Sequence, residues 1–154
     1  MSNEVELKFL VTGDVFLHLE RVLNSLKINE RQDQQLENIY FDTPEQSLRE
    51  LDSGLRIRTY NGRHEQTIKM AGQAVGGLHQ RPEYTLPSTT PWPDLRAFPS
   101  DIWPVGTDVS QIQQSLTMLF RTDFHRRTWT VALAEGSLIE VAYDIGFIDA
   151  NGQQ

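Results

Sequence analysis

Cysteine is absent from the 154 residues, which excludes disulfides, thiolate nucleophiles and zinc–thiolate sites and fits a reducing compartment. Nor is there an apolar run of the length that a membrane-spanning helix needs, and the charged start is unlike a signal peptide. Positive charge is scarce as well. Three lysines and eleven arginines stand against twenty-one acidic residues, a formal charge of -7. That balance disfavours non-specific nucleic-acid binding, which needs a basic footprint, although it allows a local basic pocket. These absences point to a cytoplasmic protein with neither a membrane nor a nucleic-acid partner, and the length suits one domain.

What is present is alternation. Glu4-Val5-Glu6-Leu7-Lys8 sends Glu4, Glu6 and Lys8 to one face of a strand. Val5 and Leu7, with Phe9 beyond them, point the other way and are expected to pack. Phe16, Leu19, Val22, Leu23 and Leu26 predict a helix over 15–27 with Asp14 as its cap. Strands are expected over 36–43, 55–60, 65–70, 81–86, 120–133 and 138–148. A short helical turn is expected over 45–51, and a helix over 109–118 presenting Val109, Ile112, Leu116 and Leu119. Asn61-Gly62 is the strongest hairpin signal in the chain. Gly72, Gly76 and Gly77 suggest a mobile connection across an open edge. Residues 87–108 hold five prolines and are expected to pack irregularly around Trp92 and Trp103. The stretch 149–152 looks like a hairpin turn with no strand after it. The chain is therefore expected to be a piece of a longer protein whose sheet lacks closing strands.

Strand parity gathers the charges. Lys8, Arg56, Arg58, Lys69, Arg81 and Arg126 form a cationic set, in which arginine forks can grip two phosphate oxygens at once. Glu4 and Glu6, with Glu140 and Asp144 in phase around Ala142, form an oxygen-donor set suited to magnesium or manganese. Burying such cations empty is costly, and one monophosphate would leave most of them unused. A triphosphate or longer polyphosphate with bound metal fits better. Glu6 or a neighbouring carboxylate is the candidate acceptor of a water proton, and Lys69 and Arg58 are the candidates to stabilise the leaving phosphate. Glu83 and Arg121 are secondary candidates, with Asp42 as a turn or rim residue. His18, His64, His79 and His125 are expected to be non-catalytic, and Trp92, Trp103 and Trp129 to pack rather than stack on bases.

Taken in order, these motifs resemble the CYTH superfamily, also called triphosphate tunnel metalloenzymes. Glu4-Val5-Glu6-Leu7-Lys8 matches its Glu-x-Glu-x-Lys signature. Tyr40-Phe41-Asp42-Thr43, Gly54-Leu55-Arg56-Ile57-Arg58, Thr67-Ile68-Lys69 and Arg81-Pro82-Glu83 follow as its successive strands. Phe120-Arg121-Thr122-Asp123-Phe124-His125-Arg126 and Ile139-Glu140-Val141-Ala142-Tyr143-Asp144 extend the match. The likeness is to bacterial inorganic triphosphatases, in which an N-terminal CYTH domain often precedes a helical, histidine-rich CHAD domain.

The resemblance implies an α+β fold: an antiparallel β-barrel or tunnel with peripheral helices, here one CYTH domain over 1–154. A final strand of alternating glutamates, expected in the family, is missing from this chain. Divalent-metal-dependent hydrolysis of inorganic triphosphate to phosphate and pyrophosphate is the implied activity, with Mg2+ or Mn2+ as cofactor. By the same resemblance Lys8, Arg56, Arg58, Lys69, Arg81 and Arg126 would hold phosphate, Glu4 and Glu6 the metal, and Glu140 and Asp144 further acidic positions on the tunnel wall. The superfamily also includes nucleoside and thiamine triphosphatases and adenylyl cyclases. A non-catalytic polyphosphate-binding module is the alternative from a different class.

Overall fold

The computed structural model describes residues 2–13, 15–75 and 78–151, and the side chains of 2–4, 73–75 and 79 fall outside it. Its strands are β1 (Ser2–Leu7), β2 (Ile28–Asp42), β3 (Gly54–Tyr60), β4 (Arg63–Lys69), β5 (Gln73–Val75), β6 (Leu78–Ser88), β7 (Thr117–Ala132) and β8 (Leu138–Asp149). The helices are α1 (Phe16–Asn24), α2 (Ser47–Glu50) and α3 (Val109–Ser115), with two 3₁₀ turns at Leu95–Ala97 and Ser100–Ile102. All strands pair antiparallel in one curled, half-barrel sheet of order β1-β6-β4-β3-β2-β7-β8, and β5 pairs with β6 off this path. The expected α+β architecture of antiparallel strands and peripheral helices is the one observed.

Alternation makes the two faces of this sheet different materials. On one, Phe41, Leu55, Ile57 and Ile68 pack with Leu95, Phe98, Ile112 and Leu116 from the 3₁₀ and α3 region. Further along the same face, Leu23 of α1 buries Trp129 and Val131 of β7, with Phe16, Leu19, Val141 and Tyr143 around them. The opposite face carries the in-phase charges. Helix α1 thus docks through Phe16, Leu19 and Leu23, whereas Val22 and Leu26 of the expected stripe are exposed.

Asn61-Gly62 forms the expected hairpin, with Tyr60 opposite Arg63. Both turn residues have positive φ (51° and 71°), which is why Asn-Gly is favoured there. The proline-rich stretch is anchored by two glutamines as well as by aromatics. Gln66 accepts from the Asp94 N–H at 2.9 Å, and Gln113 joins the Leu95 N–H (2.7 Å) to the Pro93 carbonyl (2.9 Å). Trp92 meets Phe41 edge-on at 5.0 Å, and Trp103 packs against the same core. The buried Asp42 carboxylate orients a turn. It accepts from the backbone N–H groups of Thr43, Leu48 and Arg49 at 2.7, 2.9 and 3.1 Å and so holds α2. Asp42→Asn halves that acceptor capacity and is expected to cost about 1–2 kcal/mol in urea unfolding.

Several expectations are corrected. Val5, Leu7 and Phe9 do not pack: they are 59%, 59% and 79% exposed, because β1 is an end strand whose apolar face no described element covers. Strand β2 begins at Ile28 rather than near 36, since its polar first half is held by pairing with β7 along its length. Leu119 belongs to β7, not to α3. Gly72 serves close approach, because a Cβ there would collide with the Gln80 carbonyl, and residues 73–75 form β5 rather than a loop. Asp14, Gly76, Gly77 and Gly152, named above as cap, connection and turn, lie outside the described residues. No helix among the described residues is long and apolar enough to cross a membrane.

Candidate functional site

The strand register brings the charged positions into rows. Glu4 stands opposite Arg81, and Glu83 opposite Lys69. Arg58 lies opposite Asn38, which in turn lies opposite Thr122. Gln34 faces Arg126, and Arg126 faces Asp144. Those with described side chains share the face that the helices leave uncovered.

At the centre are three guanidinium groups. Arg58 is held by a chain of neutral bonds: its Nε donates to Asn38 Oδ1 at 2.8 Å, and Asn38 Nδ2 donates to Thr122 Oγ1 at 3.0 Å. Burial, then the charges of Arg56 and Arg126, push the Arg58 guanidinium down to about 10. Arg58 is still charged at neutral pH, so the fold bears the cost of housing it. That cost is fully present below about pH 10 and eases as pH rises toward the ordinary guanidinium value. A bound polyanion would relieve it. Arg56 Nε is buried with no hydrogen-bond partner among the described residues. Arg126 differs: Nε and Nη2 both reach Asp144 at 2.7 Å, and those bonds hold it above its ordinary value.

Beside Arg58 a cleft of about 190 Å³ is lined by Gln34, Leu36, Arg58, Tyr60 and Glu65. The Tyr60 hydroxyl donates to Glu65 at 3.2 Å, and the carboxylate's charge raises the phenol above its usual range. A larger hollow of about 650 Å³ lies between α2 and α3, but its lining includes Glu45 and Asp108 and no cation, which disqualifies it for a phosphate.

A second cluster sits at the β1–β6–β4 end. Glu6 Oε1 is 3.1 Å from Lys8 Nζ and 3.8 Å from Lys69 Nζ, while Glu83 Oε2 is 3.6 Å from Lys69 Nζ. Arg81 shares this region but points its guanidinium at backbone, donating to the carbonyls of Met70 (2.8 Å), Asp52 (2.6 Å) and Lys69 (3.4 Å). The proposed cations therefore divide into Arg56, Arg58 and Arg126 in the middle, Lys69 and Lys8 toward one end, and Arg81 tying strands together.

The acidic set is spread out. Glu6 lies on one end strand, and Glu140 and Asp144 on the other. The Glu4 side chain is outside the described residues. No group of three or more His, Asp or Glu side chains able to hold a metal forms among the described residues. The donors on this face are nonetheless hard carboxylate oxygens. They suit magnesium or manganese held by one or two carboxylates together with substrate phosphates, rather than by an all-protein cage.

Arg121 turns to the packed face, 3.4 Å from Glu37, and Arg127 lies over the Phe16 ring at 4.1 Å. His18 is exposed, His64 bonds Thr59 at 2.8 Å, and His125 meets Asp33 on the face away from Arg126. The His79 side chain is outside the described residues. Asn38 and Thr122 were not singled out from sequence. Their in-phase positions with Tyr40 and Arg126 were the available signal.

Comparison with known proteins agrees with this geometry. The CYTH domain family matches residues 2–151. An inorganic triphosphatase of Haemophilus influenzae is 36% identical over 151 residues, covering 97% of this chain and 42% of that protein. The chain thus spans less than half the length of that curated relative. A solved Hippeastrum structure, assigned as an adenylyl cyclase and described as having a dominant triphosphatase activity, superposes with a TM-score of 0.59 at 16% identity. That likeness covers 92% of this chain and 70% of the other, and shows a common fold.

Proposed function

Because the chain belongs to the CYTH domain family, we propose that its charged face binds inorganic triphosphate for divalent-metal-dependent hydrolysis to phosphate and pyrophosphate. The observation that carries this reading is the half-buried pair Arg56 and Arg58 beside Arg126, in which Arg58 has only a neutral hydrogen-bond partner and Arg56 Nε has none among the described residues. Such a cluster is costly without an anion and favours one with several linked phosphates. The name of the Haemophilus relative supports the choice of inorganic triphosphate. The cytoplasm, with its reducing conditions, is the proposed setting.

In this reading Arg56, Arg58 and Arg126 grip the phosphate chain, with Lys69 and Lys8 at one end of it. Glu4 and Glu6 are the residues that would hold magnesium or manganese, with Glu140 and Asp144 as acidic wall positions at the far strand. A bound metal would neutralise phosphate charge and polarise the phosphorus. Water oxygen bonds to the terminal phosphorus as the bridging P–O bond breaks. The water proton passes to a carboxylate beside Lys69, for which Glu6 and Glu83 are the described candidates. Lys69 and Arg58 stabilise the charge that gathers on departing pyrophosphate. Arg81 contributes by holding the Lys69 and Met70 carbonyls.

Phosphate release from inorganic triphosphate, with magnesium or manganese, tests the proposal. Release is expected to exceed that from ATP or thiamine triphosphate and to stop on chelation. Glu6→Gln is expected to lower it by about 10–100-fold, a typical loss when a metal site is impaired. Binding without any release would favour the polyphosphate-binding alternative. Neither binding nor release by the folded chain would remove the assignment.

A further inference from the structure

The charged face holds its arginines in two different ways. Arg126 is paired with a carboxylate, Asp144, through two bonds of 2.7 Å, and its charge is balanced on the spot. Arg58 is held by an amide. Arginine can only donate, so the oxygen of Asn38 must face it; the amide nitrogen then turns to Thr122, whose hydroxyl accepts. This bond chain crosses β3, β2 and β7, and Asn38 and Thr122 are both buried. Asn38 is also the only hydrogen-bond partner of Arg58 among the described residues; the Glu65 carboxylate, opposite Arg58 across β3 and β4, acts on it through space without a bond.

A carboxylate would fit in the same place. Asp is nearly isosteric with Asn, its oxygen would accept the same Arg58 N–H, and the Thr122 hydroxyl could rotate to donate to its other oxygen. It would also offset a half-buried cation already crowded by Arg56 and Arg126. On charge balance alone, Asp is the better choice. An amide at this position makes sense where orientation is wanted and neutralisation is not.

We propose that Asn38 is a positioning residue that orients Arg58 through a neutral acceptor, leaving the guanidinium without a bonded carboxylate and so open to a phosphate group. The proposal rests on the triphosphate reading above. It predicts that Asn38→Asp moves stability and ligand affinity in opposite directions, and that the uncharged Asn38→Ser also lowers affinity, which a purely structural asparagine would not do.

The test measures tripolyphosphate binding by calorimetry and thermal unfolding without ligand, for wild type, Asn38→Asp and Asn38→Ser. Asn38→Asp is expected to melt at or above the wild-type temperature yet bind tripolyphosphate about 10–100-fold more weakly, the scale of a misplaced like charge in a site. Asn38→Ser, which adds no charge but shortens the reach to Arg58, should weaken binding less. If Asn38→Asp binds as well as wild type, or if its affinity and stability fall together, the role assigned to Asn38 is wrong. If Asn38→Asp does not fold, Asn38→Ser decides: unchanged affinity overturns the proposal, and a loss restored in part by Asn38→Gln supports it. A folded wild type that binds no tripolyphosphate overturns the functional reading itself, so the two failures are distinguishable.

Discussion

Arg58→Ala is expected to lower phosphate release by about 10²–10³-fold, the loss that follows removal of one preorganised charge-stabilising donor. Arg58 is the natural choice because it is crowded by both Arg56 and Arg126 and has only the neutral Asn38 as a hydrogen-bond partner among the described residues. Its removal should not unfold the chain. The Asn38 carbonyl loses its partner, but the crowding of cations is relieved, so the melting temperature should hold or rise. Arg58→Lys should recover only part of the activity, since an ammonium retains the charge without the fork or the Nε that Asn38 orients. Tripolyphosphate should raise the melting temperature of wild type far more than that of Arg58→Ala, because ligand that binds only the folded state stabilises it. Full activity in Arg58→Ala would mean that the central cations do not touch the reacting phosphates.

The second large effect concerns the other face. Trp129→Ala is expected to destabilise the chain by about 3–5 kcal/mol, as truncating a buried tryptophan does. Trp129 is 1% exposed and is where α1 docks, with the Phe16 ring 6.3 Å away and Arg31 over the indole at 5.6 Å. Its Nε1 is buried with no hydrogen-bond partner among the described residues. Trp129→Phe should therefore cost much less than alanine, because it removes an unsatisfied donor along with some volume. The neighbouring strand positions tie this core to the site, since β7 turns Arg126 to the charged face and Trp129 to the packed one. Urea unfolding checks the values; a loss under about 1 kcal/mol in Trp129→Ala would show that α1 contributes little.

Period-two alternation was readable wherever one side of a strand is buried, and it placed Arg56 and Arg58 on one face of their strand; the pairing of β3, β2 and β7 puts Arg126 on the same side. Asn61-Gly62 was readable because few backbones accept two consecutive positive φ values. The first half of β2 was not, since Asn29 to Gln35 offer no apolar phase; pairing with β7 makes it a strand, with contacts such as His125 to Asp33 and Gln35 to Asp123. The fate of Val5 and Leu7 depended on what lies beneath β1, which alternation does not encode. Charge on the correct face also did not reveal what each arginine grips. Arg81 turned to three carbonyls and Arg126 to Asp144, partners 11 to 29 positions away in sequence that only the folded register brings within reach. Asn38 escaped notice because an amide advertises no chemistry until its partner is known.

The most direct measurement is calorimetric binding of orthophosphate, pyrophosphate and tripolyphosphate to the chain at several salt concentrations. One site is expected, with affinity that rises with each added phosphate and weakens as salt screens the cations. Equal affinity for orthophosphate and tripolyphosphate, or no saturable binding of either, would contradict it.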